Sequence, residues 1–169
     1  MTISYGHGLA VAPLQFAAVA ASLVNGGFAI KPRFLVGEVG AEAGGQRGAA
    51  VLSPQTSQRM RDLMRLNVTS TSGTGRRADV PGYEVGGKTG TAEMAVAGGY
   101  KRDSVIASFL AAFPMSRPRY VVYVMLFEPT GTDETRGQIT AGYNAAATAG
   151  RVIGRIAPVL GVVPVPPRS

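Results

Sequence analysis

The sequence predicts an α+β domain in which antiparallel strands pack with helices, and three observations lead there. Residues 104–113 and 119–127 are apolar runs rich in β-branched and aromatic side chains, the composition of strands covered on both faces. The link between them, residues 114–118 with a proline at each end, is too short for a crossover helix, so the two strands pair antiparallel if they are neighbours. The segments on either side carry helix signals instead, a proline start at Pro13 and the pair Ser53-Pro54.

Taken in order, Pro13 at a first helical position and Gly26-Gly27 after Asn25 bracket a helix that is apolar nearly all round and reads as buried. Its apolar run, residues 9–24, is shorter than the roughly 20 residues that span a bilayer, and Pro13, Gln15 and Ser22 interrupt it. Residues 28–36, broken by Pro32, read as an edge or irregular extended segment, and 40–48 as a polar, Gly-rich surface loop. Ser53 as cap opens a helix to about Asn67. Met60, Leu63, Met64 and Val68 lie on one side of it, against Arg59, Arg61, Asp62 and Arg65. Asn67-Val68-Thr69 also fits a glycosylation acceptor, a weak reading at a helix end. Residues 69–82 are a turn-rich loop and 83–91 a strand. Residues 140–160 form a last helix whose Ala141, Gly142, Ala145, Ala146, Ala149 and Gly150 permit close packing on a sheet. The Pro-rich tail, residues 161–169, forms no regular element.

Composition narrows the function. With 46% hydrophobic and 16% charged residues the chain is globular. The net charge of +7 comes from scattered Lys and Arg without a basic-aromatic patch, so it reads as a solvated surface and not as a nucleic-acid interface. The absence of Cys excludes thiol catalysis, disulfides and Cys-ligated zinc; neither a metal nor a cofactor is expected. No charged n-region of a signal peptide is present, and Met1-Thr2-Ile3-Ser4 starts as abruptly as an excised piece of a longer protein would.

The stretch GYEVGGKTGTAE, residues 82–93, reads two ways. Gly82, four residues, then Gly87-Lys88-Thr89 fits a phosphate-binding loop, and Lys88-Thr89-Gly90 fits the K-T-G triad of penicillin-recognising serine enzymes. A phosphate loop needs a buried strand before it and a helix starting at its Lys-Thr. Residues 76–81 offer no such strand, Gly90 falls where the helix would take its first turn, and a hairpin follows. The nucleotide reading fails on element order. An exposed strand, by contrast, adds an extended peptide through its backbone. Thr89 and Thr91 hydroxyls with the Lys88 ammonium suit a terminal carboxylate, and Gly90 leaves room for close backbone approach.

The motifs around that stretch resemble those of class B penicillin-binding proteins, in family order. They are Thr2-Ile3-Ser4-Tyr5-Gly6-His7-Gly8 running into Val11-Ala12-Pro13-Leu14-Gln15, the Gly26-Gly27 break, Lys31-Pro32-Arg33, the Ser53-Pro54 helix, Gly73-Thr74-Gly75 and Gly87-Lys88-Thr89-Gly90-Thr91-Ala92-Glu93. The nearest subgroup is the division-type peptidoglycan D,D-transpeptidases. The resemblance covers residues 1–160 and implies the C-terminal part of a transpeptidase domain, an α-β sandwich of three antiparallel strands between helices. It implies acyl transfer to a Ser from a D-Ala-D-Ala stem peptide, with β-lactams as mimics. Lys88 would supply positive potential, Thr89, Gly90 and Thr91 would bind substrate, and the Thr91 backbone N–H would be half of an oxyanion hole. Strict alternation puts Lys88 and Thr91 on opposite faces, so both reach the site only if the ligand lies along the strand edge. By resemblance the full-length protein sits on the periplasmic side of the bacterial inner membrane with a divisome glycosyltransferase partner.

The family's S-x-x-K and S-x-N motifs are not found: no Ser is followed by Lys three residues on, and Ser22-Leu23-Val24-Asn25 is one residue too long. This chain alone is therefore expected to be inactive, and a non-catalytic peptide-binding module on the same fold is the alternative. With the family's first two strands absent as well, the 119–127 strand is expected to have an open apolar edge that invites self-association. His7, the single histidine, reads as structural or exposed, Glu93 and Asp103 as loop-flanking charges, and Arg76 and Arg77, at the entrance to the site strand, as surface residues first and contacts for an anionic substrate second.

Overall fold

The computed structural model describes residues 11–34, 47–96 and 99–166. His7, the motif at residues 2–8 and most of the 40–48 loop lie outside them. Three helices, α1 (Pro13–Val24), α2 (Pro54–Thr69) and α3 (Ala145–Val159), surround a sheet of β3 (Gly86–Val96), β4 (Gly99–Phe113) and β5 (Tyr120–Phe127). Two short strands, β1 (Phe28–Ile30) and β2 (Arg47–Ala50), form a separate antiparallel pair. Of the 28–36 segment, residues 28–30 are strand, 31–34 are not, and 35–36 lie outside the described residues; Arg47 and Gly48 belong to β2 where the sequence reads as loop.

The three-stranded sheet is antiparallel throughout, in the order β3-β4-β5, as the short 114–118 link requires. Directly opposed residues share a face, so register sorts the sheet into two. Thr89 opposite Phe109 and Thr91 opposite Ala107 belong to the face that packs on α3; Lys88 opposite Leu110 belongs to the face that packs on α1 and α2. The helix sandwich is the one expected. On the α3 face, Phe109, Phe113 and Ile153 are fully buried among Ala145, Ala146 and Ala149, the small residues that bring helix and sheet close. On the other face, Ala20, Val24 and Met64 meet Leu110 and Ala112, and Phe16 stacks on Tyr123 with ring centroids 5.0 Å apart.

Several boundaries and one burial pattern differ from expectation. The site strand begins at Gly86 rather than 83, because Glu84 takes a left-handed φ of 45° whose carbonyl accepts from Met115 N at 3.0 Å. It continues to Val96, so Glu93 is a strand residue and not a loop charge. The last helix starts at Ala145, capped by Asn144, after turns at 140–144. Leu14, Phe16 and Val19 leave α1 half exposed instead of buried, and Leu63 is on the open side of α2, where Ser57 takes the core position instead. Ser57 earns that position by bonding: its hydroxyl donates to Leu23 O at 2.8 Å and accepts from Gly26 N at 3.0 Å, tying α2 to the end of α1. Ser53 caps α2 as expected, accepting from Thr56 N. Among the described residues no strand pairs with the outer edge of β5, where Phe127 is exposed.

Gly87 marks a close approach inside the sheet: a Cβ there would lie 2.5 Å from Leu110 O and 2.5 Å from Phe109 Cζ. Gly87→Ala is expected to destabilise the fold by about 1–3 kcal/mol, the cost of overpacking. The check is thermal unfolding, in which Tm falls by roughly 2–4 °C per kcal/mol for a chain of this size; an unchanged Tm would contradict the packing.

Candidate functional site

The outer edge of β3 is set by its pairing. In an antiparallel ladder the N–H and C=O of one residue point to the same side, and the side alternates along the strand. Gly87 O accepts from the Asn67 side chain on α2 at 2.9 Å, so Gly87 faces outward. Gly90 O accepts from Ser108 of β4 at 3.2 Å and faces inward. By this alternation Thr89 and Thr91 turn their backbone N–H and C=O groups to the outer edge, and no described strand covers them. Lys88, on the α1/α2 face and exposed, reaches that edge with its ammonium: Nζ donates to Thr89 O at 2.8 Å. The opposite-face difficulty is met at the edge itself, where Lys88 approaches from one side and the threonines from the other.

Asn67 holds the edge in place. Besides binding Gly87 O, its Oδ1 accepts from Thr74 N at 3.2 Å and from Thr74 Oγ1 at 3.1 Å, and its backbone O accepts from Gly75 N at 3.1 Å. One side chain thus joins helix, Gly-rich loop and site strand. The Asn67 amide is committed to this network, which the sequence showed only as part of a glycosylation-type triplet. Arg65 adds a second tie, its guanidinium donating to Asp79 at 2.7 Å and to Val85 O at 2.6 Å.

The two threonines are not equivalent. Thr74 Oγ1 spends its hydrogen on Asn67 Oδ1, so the Thr89 hydroxyl is the donor in the 2.8 Å Thr89–Thr74 bond. Thr91 Oγ1 accepts from Ala141 N at 3.1 Å and keeps its own hydrogen for another acceptor. Of the pair, Thr91 is the one with a free donor. Both line a concave recess bounded by residues 71–77 and by the turns before α3. Arg76 and Arg77 are in its wall, as are Arg136 and Tyr143, two residues that no motif or periodicity marks. Among the described residues no cluster of His, Cys, Asp and Glu fit to hold a metal is found.

A family model described as the penicillin binding protein transpeptidase domain matches residues 1–149. The chain belongs to that family. It is 43% identical over 169 residues to a probable peptidoglycan D,D-transpeptidase FtsI of Caulobacter vibrioides, covering 94% of this chain and 28% of the relative. It is 34% identical over 170 residues to stage V sporulation protein D of Bacillus subtilis, covering 96% and 25%. Among solved structures, the apo transpeptidase domain of Burkholderia pseudomallei penicillin-binding protein 3 superposes with a TM-score of 0.79 at 33% identity, over 98% of this chain and 47% of that one. Penicillin-binding protein 3 of Mycobacterium tuberculosis, complexed with ampicillin, gives 0.78 at 29% identity, over 96% and 38%. The chain thus spans about a quarter of the length of these curated relatives and less than half of the solved domain.

In this transpeptidase-family chain, Asn67→Ala is expected to cost about 1–2 kcal/mol, from hydrogen bonds lost at a half-buried carbonyl and loop. The added signature is local: amide exchange at Thr74 and Gly75 speeds up more than exchange in β4. Unchanged protection at those two amides would contradict the role given to Asn67.

Proposed function

We propose that this chain supplies the edge-strand wall of the peptide cleft in a serine-type peptidoglycan D,D-transpeptidase. The observation that carries the reading is the uncovered β3 edge, which joins the outward backbone of Thr89 and Thr91, the Lys88 ammonium and the free Thr91 hydroxyl within four residues. A D-Ala-D-Ala end laid along it gains main-chain hydrogen bonds from Thr89 and Thr91. Its terminal carboxylate takes the Thr91 O–H and the Lys88 charge.

The reaction follows from that pose. A serine hydroxyl from the remainder of the domain attacks the carbonyl of the penultimate D-Ala and gives up its proton to a base. The C–N bond breaks as the leaving amine takes a proton, D-Ala departs, and a serine ester remains. An amine of a second stem peptide attacks that ester, forming the new amide and returning the serine. The Thr91 backbone N–H, on the strand edge, donates to the oxygen that gains charge in both steps, a contribution typically worth about 10²–10³ in turnover. Gly90 keeps the edge clear of a side chain. β-Lactams enter as mimics of the dipeptide. The full protein works on the periplasmic side of the bacterial inner membrane alongside a glycosyltransferase partner.

The second reading, a peptide-holding module without catalysis, is favoured by the lack of an S-x-x-K in these 169 residues. Under either reading the chain by itself forms no ester. Incubation with fluorescent penicillin followed by a denaturing gel is expected to show no labelled band; a stable band would contradict this. Titration with N-acetyl-D-alanyl-D-alanine is expected to show saturable binding that Thr91→Val weakens about tenfold, the worth of one charge-assisted hydrogen bond. Binding untouched by that substitution would overturn the edge-strand assignment. The open β5 edge is expected to drive self-association at high concentration, read by light scattering, where a strict monomer would count against it.

A further inference from the structure

The recess behind Thr89 and Thr91 is built for a negative charge that the proposed reaction does not use. Three arginines converge on it from two separate parts of the chain, Arg76 and Arg77 from the turn after the Gly-rich loop and Arg136 from the loop after β5. Among the described residues no Asp or Glu lines it. Neither Arg76 nor Arg136 makes a side-chain hydrogen bond or ion pair with another described residue, whereas Arg65 and Arg151 each have a carboxylate partner. Arg77 is held against the wall, its guanidinium 4.6 Å from the centre of the Tyr143 ring. Positioning comes from the backbone. Gly150 of α3 lets the 76–78 turn come close, since a Cβ there would stand 3.0 Å from Arg77 O. Arg136 sits at a left-handed φ of 54°, in a turn closed by Arg136 N to Asp133 O at 3.0 Å and Gly137 N to Thr132 O at 2.9 Å.

The cavity is about 420 Å³, at the small end of the range for ligand sites. Its remaining walls carry several hydroxyl groups, among them those of Ser72 and Thr140. Guanidinium groups without a carboxylate partner among the described residues, set with hydroxyl donors, make an oxyanion site. We propose that this recess binds a carboxylate of the ligand other than the one at its chain end. The position is continuous with the β3 edge, because Thr89 and Thr91 line both. The donor substrate class is then a peptide with a second, side-chain carboxylate, held by Arg76, Arg77 and Arg136 while Thr91 holds the terminal one. The peptide origin of that carboxylate rests on the proposed function; the oxyanion site does not.

The test uses the 169-residue chain and three probes read by amide chemical shifts: glutarate, inorganic phosphate and N-acetyl-D-alanyl-D-alanine. Glutarate is expected to shift amides of residues 71–77 and 136–143 saturably, with affinity falling as salt rises. Arg76→Gln and Arg136→Gln, with far-UV circular dichroism unchanged, are each expected to weaken it about tenfold, one charge-assisted contact. No saturable shift with glutarate overturns the proposal, as does binding that neither substitution weakens. Binding of phosphate without glutarate overturns the carboxylate assignment. The dipeptide separates the two claims: if glutarate shifts the recess but the dipeptide leaves residues 88–91 unmoved, the edge-strand function fails and the oxyanion site stands. The reverse result sinks the oxyanion site alone.

Discussion

The site depends on one side-chain amide. Asn67 donates to the outward carbonyl of Gly87 and accepts from both the backbone and the hydroxyl of Thr74. It therefore fixes where the Gly-rich loop stands relative to the site strand, and it also sets the hydroxyl polarity. With Thr74 donating to Asn67, Thr89 is the donor to Thr74, and the Thr91 hydroxyl alone remains available to an incoming acceptor. An amide is suited to this task because it donates and accepts at once without charge. A carboxylate at the same place would repel Gly87 O, and an aliphatic side chain would leave three polar groups to solvent.

The sheet turns this local network into a site with two approaches. Because its two faces pack on different helices, Lys88 and the threonines leave β3 in opposite directions and meet again only at the uncovered edge. A ligand at that edge sees an ammonium on one flank and hydroxyls backed by arginines on the other. Among the described residues the same sheet leaves β5 uncovered on its far side, and α1 exposes Leu14 and Val19. The solved relatives are more than twice as long over the aligned domain.

Much of this was legible in the sequence, for reasons that can be named. The antiparallel hairpin followed from the length of the 114–118 link, and the α2 start from Ser53-Pro54, whose capping bond is present. The Lys88-Thr89-Gly90-Thr91 edge followed from motif order. What the sequence hid is long-range. Asn67 bonds a residue 20 positions away, and Arg136 reaches the recess through a left-handed turn that no pattern marks. Leu63 and Ser57 exchanged places because hydrophobic periodicity counts residue type. It does not see that a serine can satisfy two backbone groups of another helix.

The outer edge of β3 is proposed to accept an extended peptide. Nuclear Overhauser contacts between isotope-labelled chain and bound N-acetyl-D-alanyl-D-alanine test it most directly. Contacts are expected from the peptide backbone to the amide protons of Thr89 and Thr91, with that of Gly90 silent because it points to β4. Contacts confined to Gly90, or found elsewhere on the molecule, would contradict it.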